Sequence, residues 1–180
     1  TCWGDNSDGQ AAPPAGTFTQ ISTGWYHACG IKTDKTMVCW GRNDYQQATP
    51  PESTFSQVAA NGYHSCGIQT DGTVVCWGNT SSNKALRPPN GIFTQIAAGF
   101  QYTCGIKTDS TLACWGNNDY GQTLFPLGTF VQMSAGYQYA CGVKSDGTVT
   151  CWGDNSEGQA APPFEVTSNC TYHLEPASYF

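Results

Sequence analysis

Ten cysteines are the residues of this 180-residue chain whose type and spacing most clearly indicate chemistry. Eight of them fall into four pairs whose members are ten positions apart: Cys29 and Cys39, Cys66 and Cys76, Cys104 and Cys114, Cys141 and Cys151. Zinc sites instead use close Cys-x-x-Cys pairs. Regularly spaced cysteines without that pattern indicate disulfide bonds, which persist in an oxidising compartment.

The elements that must position these cysteines are sequence repeats. The motif Cys-Trp-Gly recurs, with intervals of 37 or 38 residues between its tryptophans, at Trp3, Trp40, Trp77, Trp115 and Trp152. A fixed period in this range indicates a repeat architecture. β-branched and aromatic residues dominate the strand-like segments, and no helical periodicity persists. The sequence therefore predicts an all-β fold in which each repeat forms one sheet of three or four strands.

Each cysteine pair encloses a predicted hairpin, such as "CGIKTDKTMVCWG" at residues 29–41. If Cys29 faces Cys39, a three-residue loop remains whose third residue is left-handed, a position that favours glycine. Gly72 and Gly147 occupy that position, whereas Lys35 and Ser110 replace glycine in the other copies. This register predicts the disulfides Cys29–Cys39, Cys66–Cys76, Cys104–Cys114 and Cys141–Cys151. Pairing between repeats, such as Cys39 with Cys66, is the alternative.

Cys2 and Cys170 remain outside these pairs. Cys2 opens a Cys-Trp-Gly motif that has no upstream half, and Phe164 repeats the phenylalanine that begins each unit. We therefore expect residues 1–170 to form a β-propeller of about five blades. Four complete blades would centre on residues 29–41, 66–78, 104–116 and 141–153, and a shortened composite blade would combine residues 1–14 with 164–170. A Cys2–Cys170 disulfide would close the ring, and residues 171–180 would form a C-terminal tail.

The recurring pattern "FxQIxxGxxHxCGIxxDGTVxCWGxNxxGQ" resembles the repeat of the regulator of chromosome condensation family of β-propellers. Two cysteines in each repeat are more similar to the extracellular repeats of the crinkly-type plant receptor kinases. The resemblance implies a propeller fold with a role in binding. The family's founding activity is nucleotide exchange on a nuclear GTPase, which we do not expect of a cysteine-rich acidic chain, because fold alone does not imply function.

Composition excludes two classes of partner. The formal net charge is −6, and the seven lysines and arginines are scattered singly. Nucleic-acid binding requires clustered cations, so no nucleic-acid partner is expected. No apolar run approaches the roughly 20 residues that cross a bilayer, so no membrane insertion is expected. Asn79 and Asn169 lie in N-glycosylation motifs, which fit a secreted, extracellular protein.

Aromatic residues near a step of small residues are the candidate contacts for a ligand or partner: Trp25, Tyr26, Tyr63, Phe100 and Tyr137. The step is expected at the inner rim of the propeller. The tryptophans of the Cys-Trp-Gly motifs could instead stack against sugars, but a residue that follows a cysteine in the third strand is more typical of packing between blades.

A histidine or a tyrosine lies two positions before the first cysteine of each hairpin, at His27, His64, Tyr102 and Tyr139. We interpret this position as a packing site with a hydrogen-bonding tip. Asn61 occupies the position of Gly24, Gly99 and Gly136, which favours a left-handed backbone there.

The hairpin aspartates are interpreted as turn formers, and the loop "GDNSDGQ" lacks the full ligand set of a calcium loop. We expect no catalytic residues, no metal and no cofactor.

The sequence as a whole predicts a non-catalytic secreted β-propeller that acts as a protein-interaction or structural module of an extracellular surface or filament. Its partner would be an extracellular protein, including copies of itself, or a glycan. A lectin with sites repeated in each blade is the first alternative. A secreted inhibitor-like binder of a single protein is the second.

Overall fold

The computed structural model describes residues 2–79 and 85–161. Within these ranges the chain forms twelve β-strands. In chain order they are β1 (Phe18–Thr23), β2 (His27–Lys32), β3 (Met37–Gly41), β4 (Phe55–Asn61), β5 (His64–Gln69), β6 (Val74–Gly78), β7 (Phe93–Ala98), β8 (Tyr102–Lys107), β9 (Leu112–Gly116), β10 (Phe130–Ala135), β11 (Tyr139–Lys144) and β12 (Val149–Gly153).

The strands form four antiparallel sheets, one for each repeat. Blade 1 contains β1-β2-β3, blade 2 contains β4-β5-β6, blade 3 contains β7-β8-β9 and blade 4 contains β10-β11-β12. Neighbours in each sheet are neighbours in sequence, so every blade is a simple meander. The expected all-β repeat is therefore confirmed, with three strands in each described sheet.

The cysteines pair across the hairpin between the second and third strands of each blade. Cys29 lies opposite Cys39, and the same register recurs in the other three blades. The paired Cα atoms are 4.0 Å apart, the close spacing of a non-hydrogen-bonded pair. The structure therefore contains the four disulfides that the hairpin register predicts, and none of them connects two blades.

The hairpin loops also have the predicted backbone. Lys35 and Ser110 adopt φ values of 69° and 66°, and Gly72 and Gly147 both adopt 85°. In the first loop, Asp34 Oδ1 accepts hydrogen bonds from the Thr36 amide at 2.9 Å and from its hydroxyl at 2.6 Å. These bonds hold the pKa of the exposed Asp34 below its ordinary value. The aspartate therefore fixes the turn, as the sequence predicted.

The prediction of a left-handed backbone at Asn61 is wrong, because none of the four equivalent residues has a positive φ. Glycine is needed at Gly99 and Gly136 for a different reason. A Cβ atom at either position would collide with the ring of Tyr102 or Tyr139, three residues later in the chain. Asn61 instead extends β4 and donates a hydrogen bond from Nδ2 to the carbonyl of Ala98 in blade 3, at 3.0 Å.

The hydrophobic core lies between the blades. One cluster joins Ile31 and Met37 of blade 1 to Phe55 and Val58 of blade 2. Equivalent clusters fill the gap between blades 2 and 3 and the gap between blades 3 and 4. Each blade therefore buries its apolar residues against its neighbours, as the sheets of a propeller do.

The first blade also contacts the N-terminal segment. Trp40 Nε1 donates to the carbonyl of Gln10 at 2.9 Å, and Trp77 Nε1 donates in the same way to Gln47 at 3.0 Å. Residues 5–12 thus take the position that the loop of a preceding repeat would take. Among the described residues Cys2 has no disulfide partner. The predicted Cys2–Cys170 bond, the strand at 164–170 and the tail at 171–180 lie outside the described residues.

Candidate binding surface

Six aromatic side chains from all four blades meet at one end of the sheets. Five of them are the predicted contact residues, and they lie in the connections between the first and second strands of the blades. The sixth, Tyr45, lies in the loop after β3. We call this set the aromatic cluster: Trp25, Tyr26, Tyr45, Tyr63, Phe100 and Tyr137.

The centre of the aromatic cluster is a stack of three rings from three blades. The Trp25 ring lies 4.9 Å from Phe100 and 5.9 Å from Tyr137, with interplanar angles of 8° and 2°. Phe100 and Tyr137 are 4.6 Å apart and tilted by 10°. Parallel rings at these separations attract each other beyond the area that they bury. The stack therefore connects side chains of blades 1, 3 and 4.

Blade 2 contributes no ring to this stack because it has glycine there. Gly62 occupies the position of Trp25, Phe100 and Tyr137. It adopts a φ of 47°, and a Cβ atom at this residue would lie 3.0 Å from the Phe100 ring. The absence of a side chain leaves room for the Phe100 ring, on which Trp25 stacks. The stack thus depends on one glycine as well as on three aromatic residues.

The tyrosines extend the aromatic cluster over blades 1 and 2. The Tyr63 ring contacts Trp25 at 5.6 Å, Tyr45 at 5.5 Å and Tyr26 at 6.1 Å. The guanidinium of Arg42 lies 5.5 Å from the centre of the Tyr26 ring, within cation–π distance. Arg42 also forms an ion pair with Asp44 at 2.6 Å. The surface is thus aromatic with a polar edge.

This surface is accessible to a partner. Trp25 is 43% exposed, Tyr45 is 43% exposed and Tyr137 is 49% exposed. Rigid aromatic rings that project from a stable scaffold provide contact area at a low cost in conformational entropy. The arrangement can therefore bind a partner, whereas it brings together no nucleophile and base.

The sequence predicted five members of the aromatic cluster and missed Tyr45 and Arg42. Both residues belong to the loop "GRNDYQQ", whose other copies carry different residues in the place of Arg42. The only signal for Tyr45 was its sequence proximity to the Cys-Trp-Gly motif. That motif alone does not reveal which loops fold over the end of the sheets.

Two buried histidines form hydrogen bonds between neighbouring blades. His27 Nε2 lies 2.8 Å from Ser65 Oγ of blade 2, and His64 Nε2 lies 3.0 Å from Thr103 Oγ1 of blade 3. Burial lowers the pKa of His27 to about 4, and burial together with the nearby His27 lowers that of His64 to about 4. Both histidines are therefore neutral at pH 7.

The third blade has tyrosine in place of these histidines. Tyr102 donates from its hydroxyl to the carbonyls of Gly136, at 3.3 Å, and Tyr139. Burial raises the pKa of Tyr102 above its ordinary value. The interpretation of this position as a packing site with a hydrogen-bonding tip is confirmed for His27, His64 and Tyr102.

The polar loops are organised by their own hydrogen bonds. Asn6 Oδ1 accepts from the Ala11 amide at 2.9 Å, and Asn43, Asn118 and Asn155 make the equivalent bond. Across residues 2–79 and 85–161, no group of three or more His, Cys, Asp or Glu side chains is placed to hold a metal ion. No helix in the same ranges is long and apolar enough to cross a membrane.

The sequence of each repeat identifies its family. Residues 18–47, 55–83, 93–122 and 130–159 each match the regulator of chromosome condensation repeat. The chain belongs to this family. No curated protein sequence matches the chain significantly.

Solved structures of the same fold support this assignment. The CRINKLY ectodomain of the receptor kinase ACR4 from Arabidopsis thaliana is 32% identical, with a TM-score of 0.64, over 76% of this chain and 49% of that one. The ectodomain of the receptor kinase CR4 from Physcomitrella patens is 24% identical, with a TM-score of 0.69, over 79% and 43%. Human WBSCR16 is 16% identical, with a TM-score of 0.71, over 84% and 56%.

This chain spans about half of the length of each of these three structures. The last two structures show the fold alone. The resemblance to the crinkly-type ectodomains that the sequence suggested is confirmed, and the four sheets form part of a propeller of this family.

Proposed function

We propose that this repeat domain is an extracellular protein-interaction or structural module and that the aromatic cluster is its contact surface. The observation that carries the proposal is the exposure of Trp25 and Tyr137, which lie stacked on Phe100 and are held by three different blades. Tryptophan and tyrosine are enriched among the residues that dominate binding energy at protein interfaces. A rigid ring stack on a disulfide-linked scaffold is preorganised for such contacts.

The proposed extracellular location rests on the disulfide bonds and on the similarity to a receptor ectodomain. The chain has four disulfides, which are typical of oxidising compartments, and the similar structures include a plant receptor ectodomain. Asn79, the described member of the two predicted glycosylation sites, lies directly after β6 and is partly exposed. Glycan attachment at Asn79 and Asn169 is part of this proposal.

Carbohydrate binding is the second candidate function, because Trp25 presents an exposed aromatic ring of the kind that stacks on sugars. The tryptophans of the Cys-Trp-Gly motifs do not offer such a surface, since Trp40, Trp77, Trp115 and Trp152 are between 7% and 9% exposed. A secreted inhibitor-like binder would use the same aromatic cluster against one protein partner.

The five-blade ring is also a proposal. Its support is the N-terminal segment, which packs on blade 1 as the end of a preceding repeat would. The composite blade would place residues 1–14 beside residues 164–170. An intramolecular Cys2–Cys170 disulfide in the intact protein would establish it.

Site-specific photo-crosslinking tests the proposed surface. A benzoylphenylalanine at Tyr137 is compared with one at Ile92, which is similarly exposed at 44% but lies at the opposite end of the sheets, before β7. The proposal predicts cross-links from position 137 to a protein of the host's extracellular fraction, lost in the Trp25→Ala variant. Equal cross-linking from both positions, or none from position 137, contradicts it. Binding on a glycan array that Trp25→Ala abolishes would favour the carbohydrate function instead.

A further inference from the structure

The two ends of the sheets differ in charge. Each blade is a meander, so the loop that follows its third strand lies at the same end as the connection between its first and second strands. The Arg42 amide accordingly donates to the Tyr26 carbonyl at 2.7 Å. We call this end, which carries the aromatic cluster, the aromatic end. The opposite end, which carries the hairpin loops between the second and third strands, is the hairpin end.

Carboxylates dominate the described loops at the aromatic end. They belong to the N-terminal segment and to the loops that follow β3, β9 and β12: Asp5, Asp8, Asp44, Asp119, Asp154 and Glu157. Arg42 is the only lysine or arginine in these described loops. All of these carboxylates are exposed or partly exposed, and the side chain of Asp44 is 60% exposed. The aromatic end is therefore acidic.

The hairpin end is close to neutral by comparison. The lysines in or beside its loops are matched by the aspartates of its turns: Lys32, Lys35, Lys107 and Lys144 against Asp34, Asp71, Asp109 and Asp146. The aspartates are also engaged in their own turns, as Asp109 is with the Thr111 amide at 3.0 Å. In the described part of the chain, the excess of negative charge thus lies at the aromatic end.

Arg42 shows how the surface at the aromatic end holds a cation. Its guanidinium lies 5.5 Å from the centre of the Tyr26 ring and pairs through Nε with Asp44 at 2.6 Å. The hydrogen bond and the charge of Asp44 hold the pKa of Arg42 above its ordinary value, with smaller contributions from Asp8 and Tyr63. A ring face and a carboxylate both favour a cation. The same two groups are available elsewhere on this surface.

Other exposed rings lie next to carboxylates in the sequence. Tyr45 follows Asp44 and is 43% exposed, and Tyr120 follows Asp119 in the equivalent loop and is 50% exposed. Over residues 2–79 and 85–161, Arg42 makes the only cation–π contact. The remaining rings are therefore open to cations that a partner supplies.

The spread of these groups indicates an extended partner with several cations. Among the described residues, no three His, Cys, Asp or Glu side chains are grouped to hold a metal ion. The ring stack itself combines side chains of blades 1, 3 and 4. A polypeptide segment with several arginines and lysines can span such a surface, because the aliphatic part of each side chain packs on a ring while its charged end reaches a carboxylate.

We infer that the aromatic end binds a basic segment of an extracellular protein, whose arginine and lysine side chains lie over the exposed rings and pair with the surrounding carboxylates. This inference rests on the proposed function, since it names the partner of the same surface. Opposite charges steer such a segment to this end. Acidic proteins, acidic glycans and the aromatic end of a second copy are disfavoured for the same reason.

Peptide display on the full chain tests the chemistry of the partner. A phage library of random dodecapeptides is panned on the chain with its disulfides intact, and each recovered clone is tested again on Trp25→Ala. Among the clones that need Trp25, arginine and lysine should be enriched about threefold or more over the unselected library, because a cation–π contact and an ion pair each favour a cation. Trp25-dependent clones that are rich in aspartate and glutamate, or that show no charge preference, would overturn the inference and leave the proposed function standing. If no clone depends on Trp25, both fail.

Two variants of equal net charge locate the carboxylates that bind. Asp44→Asn/Asp119→Asn removes two carboxylates from the aromatic end, and the control Glu52→Gln/Asp71→Asn removes two from the hairpin end. All of these side chains are exposed, so both variants are expected to fold, which circular dichroism checks. Fluorescence anisotropy with a recovered basic peptide should show binding about fivefold weaker for the first variant and unchanged for the control. Equal weakening in both variants, or none in either, would overturn the inference.

Arg42→Gln should have an effect of the opposite sign. The substitution removes the cation from the Tyr26 ring and releases Asp44 to pair with the partner. The same basic peptide should therefore bind about twofold more tightly or better. Weaker binding would mean that Arg42 contacts an acceptor of the partner, and weaker or unchanged binding would overturn the inference.

Discussion

Two groups of tryptophan show how this fold separates stability from recognition. Trp40, Trp77, Trp115 and Trp152 are between 7% and 9% exposed, and each donates its indole N–H to a main-chain carbonyl of the preceding loop. Trp25 is 43% exposed, and its ring stacks on Phe100 and Tyr137 at the end of the sheets. The comparison shows that position in the repeat, rather than residue type, decides the role. A ring between the blades joins them, and a ring at their end forms a surface.

The largest expected difference between the two groups is in stability. Trp77→Ala should lower the free energy of unfolding by about 3–5 kcal/mol, because it empties a site between blades 1 and 2. Trp25→Ala should cost only about 1 kcal/mol, since it removes ring stacking at the surface. Chemical denaturation measures both values. Equal losses for the two variants would contradict the assignment of separate roles.

The next largest effect is expected from pH, at the histidines between the blades. His27 and His64 have a pKa of about 4 in the folded chain, below the ordinary 6.5. Between these values the unfolded chain binds protons that the folded chain does not. Stability should therefore be complete above about pH 6.5 and fall as the pH decreases toward 4, by up to about 3 kcal/mol for each histidine.

Substitution separates this effect from other titrations. His64→Gln should flatten the fall in the free energy of unfolding between pH 6.5 and 4, and Tyr102→Phe should leave the slope unchanged. Denaturation curves at several pH values measure the slope. A slope that is the same in His64→Gln and in the unmodified chain would show that His64 is already solvated in the folded protein.

Removal of one disulfide should have a smaller effect than Trp77→Ala. The Cys66→Ala/Cys76→Ala double variant opens a hairpin whose cysteines are ten positions apart. The expected loss is about 2–3 kcal/mol, since the cross-link restricts only a short loop in the unfolded chain. Thermal and chemical denaturation measure it. If the double variant loses less free energy of unfolding than Trp25→Ala does, the sheet contacts alone maintain the hairpin.

The smallest expected effect isolates the indole hydrogen bond. Trp77→Phe keeps a ring between the blades but removes the donor to the Gln47 carbonyl, so it should cost about 1 kcal/mol beyond the change in ring size. Trp25→Phe should have almost no effect on stability. If the two phenylalanine variants are equally stable, the hydrogen bond to Gln47 contributes nothing measurable.

The parts of the fold that are local in sequence were predictable. The hairpin register followed from the ten-residue cysteine spacing, and the left-handed Lys35 and Ser110 followed from their alignment with Gly72 and Gly147. Five members of the aromatic cluster were predictable because each of them lies next to the small-residue step of its own repeat. Each of these inferences needed only sequence neighbours within one repeat or the alignment of one repeat with another.

The features that depend on contacts between blades were not predictable in the same way. The hydroxyl partners of His27 and His64 lie 38 and 39 residues further along the chain. The reason for glycine at Gly99 is the space required by the Tyr102 ring, which backbone preference does not reveal. Gly62 could be aligned with Trp25 from the sequence, but only the fold shows that its missing side chain admits the Phe100 ring.

The measurement that tests the central claim most directly is non-reducing peptide mapping of the intact chain by mass spectrometry. Each repeat is held to be a separate sheet with its own disulfide, joined to the next blade by apolar packing and hydrogen bonds and by no disulfide. We expect peptides linked as Cys29–Cys39, Cys66–Cys76, Cys104–Cys114 and Cys141–Cys151. Peptides that link Cys39 to Cys66, or eight free thiols at these positions, would contradict it.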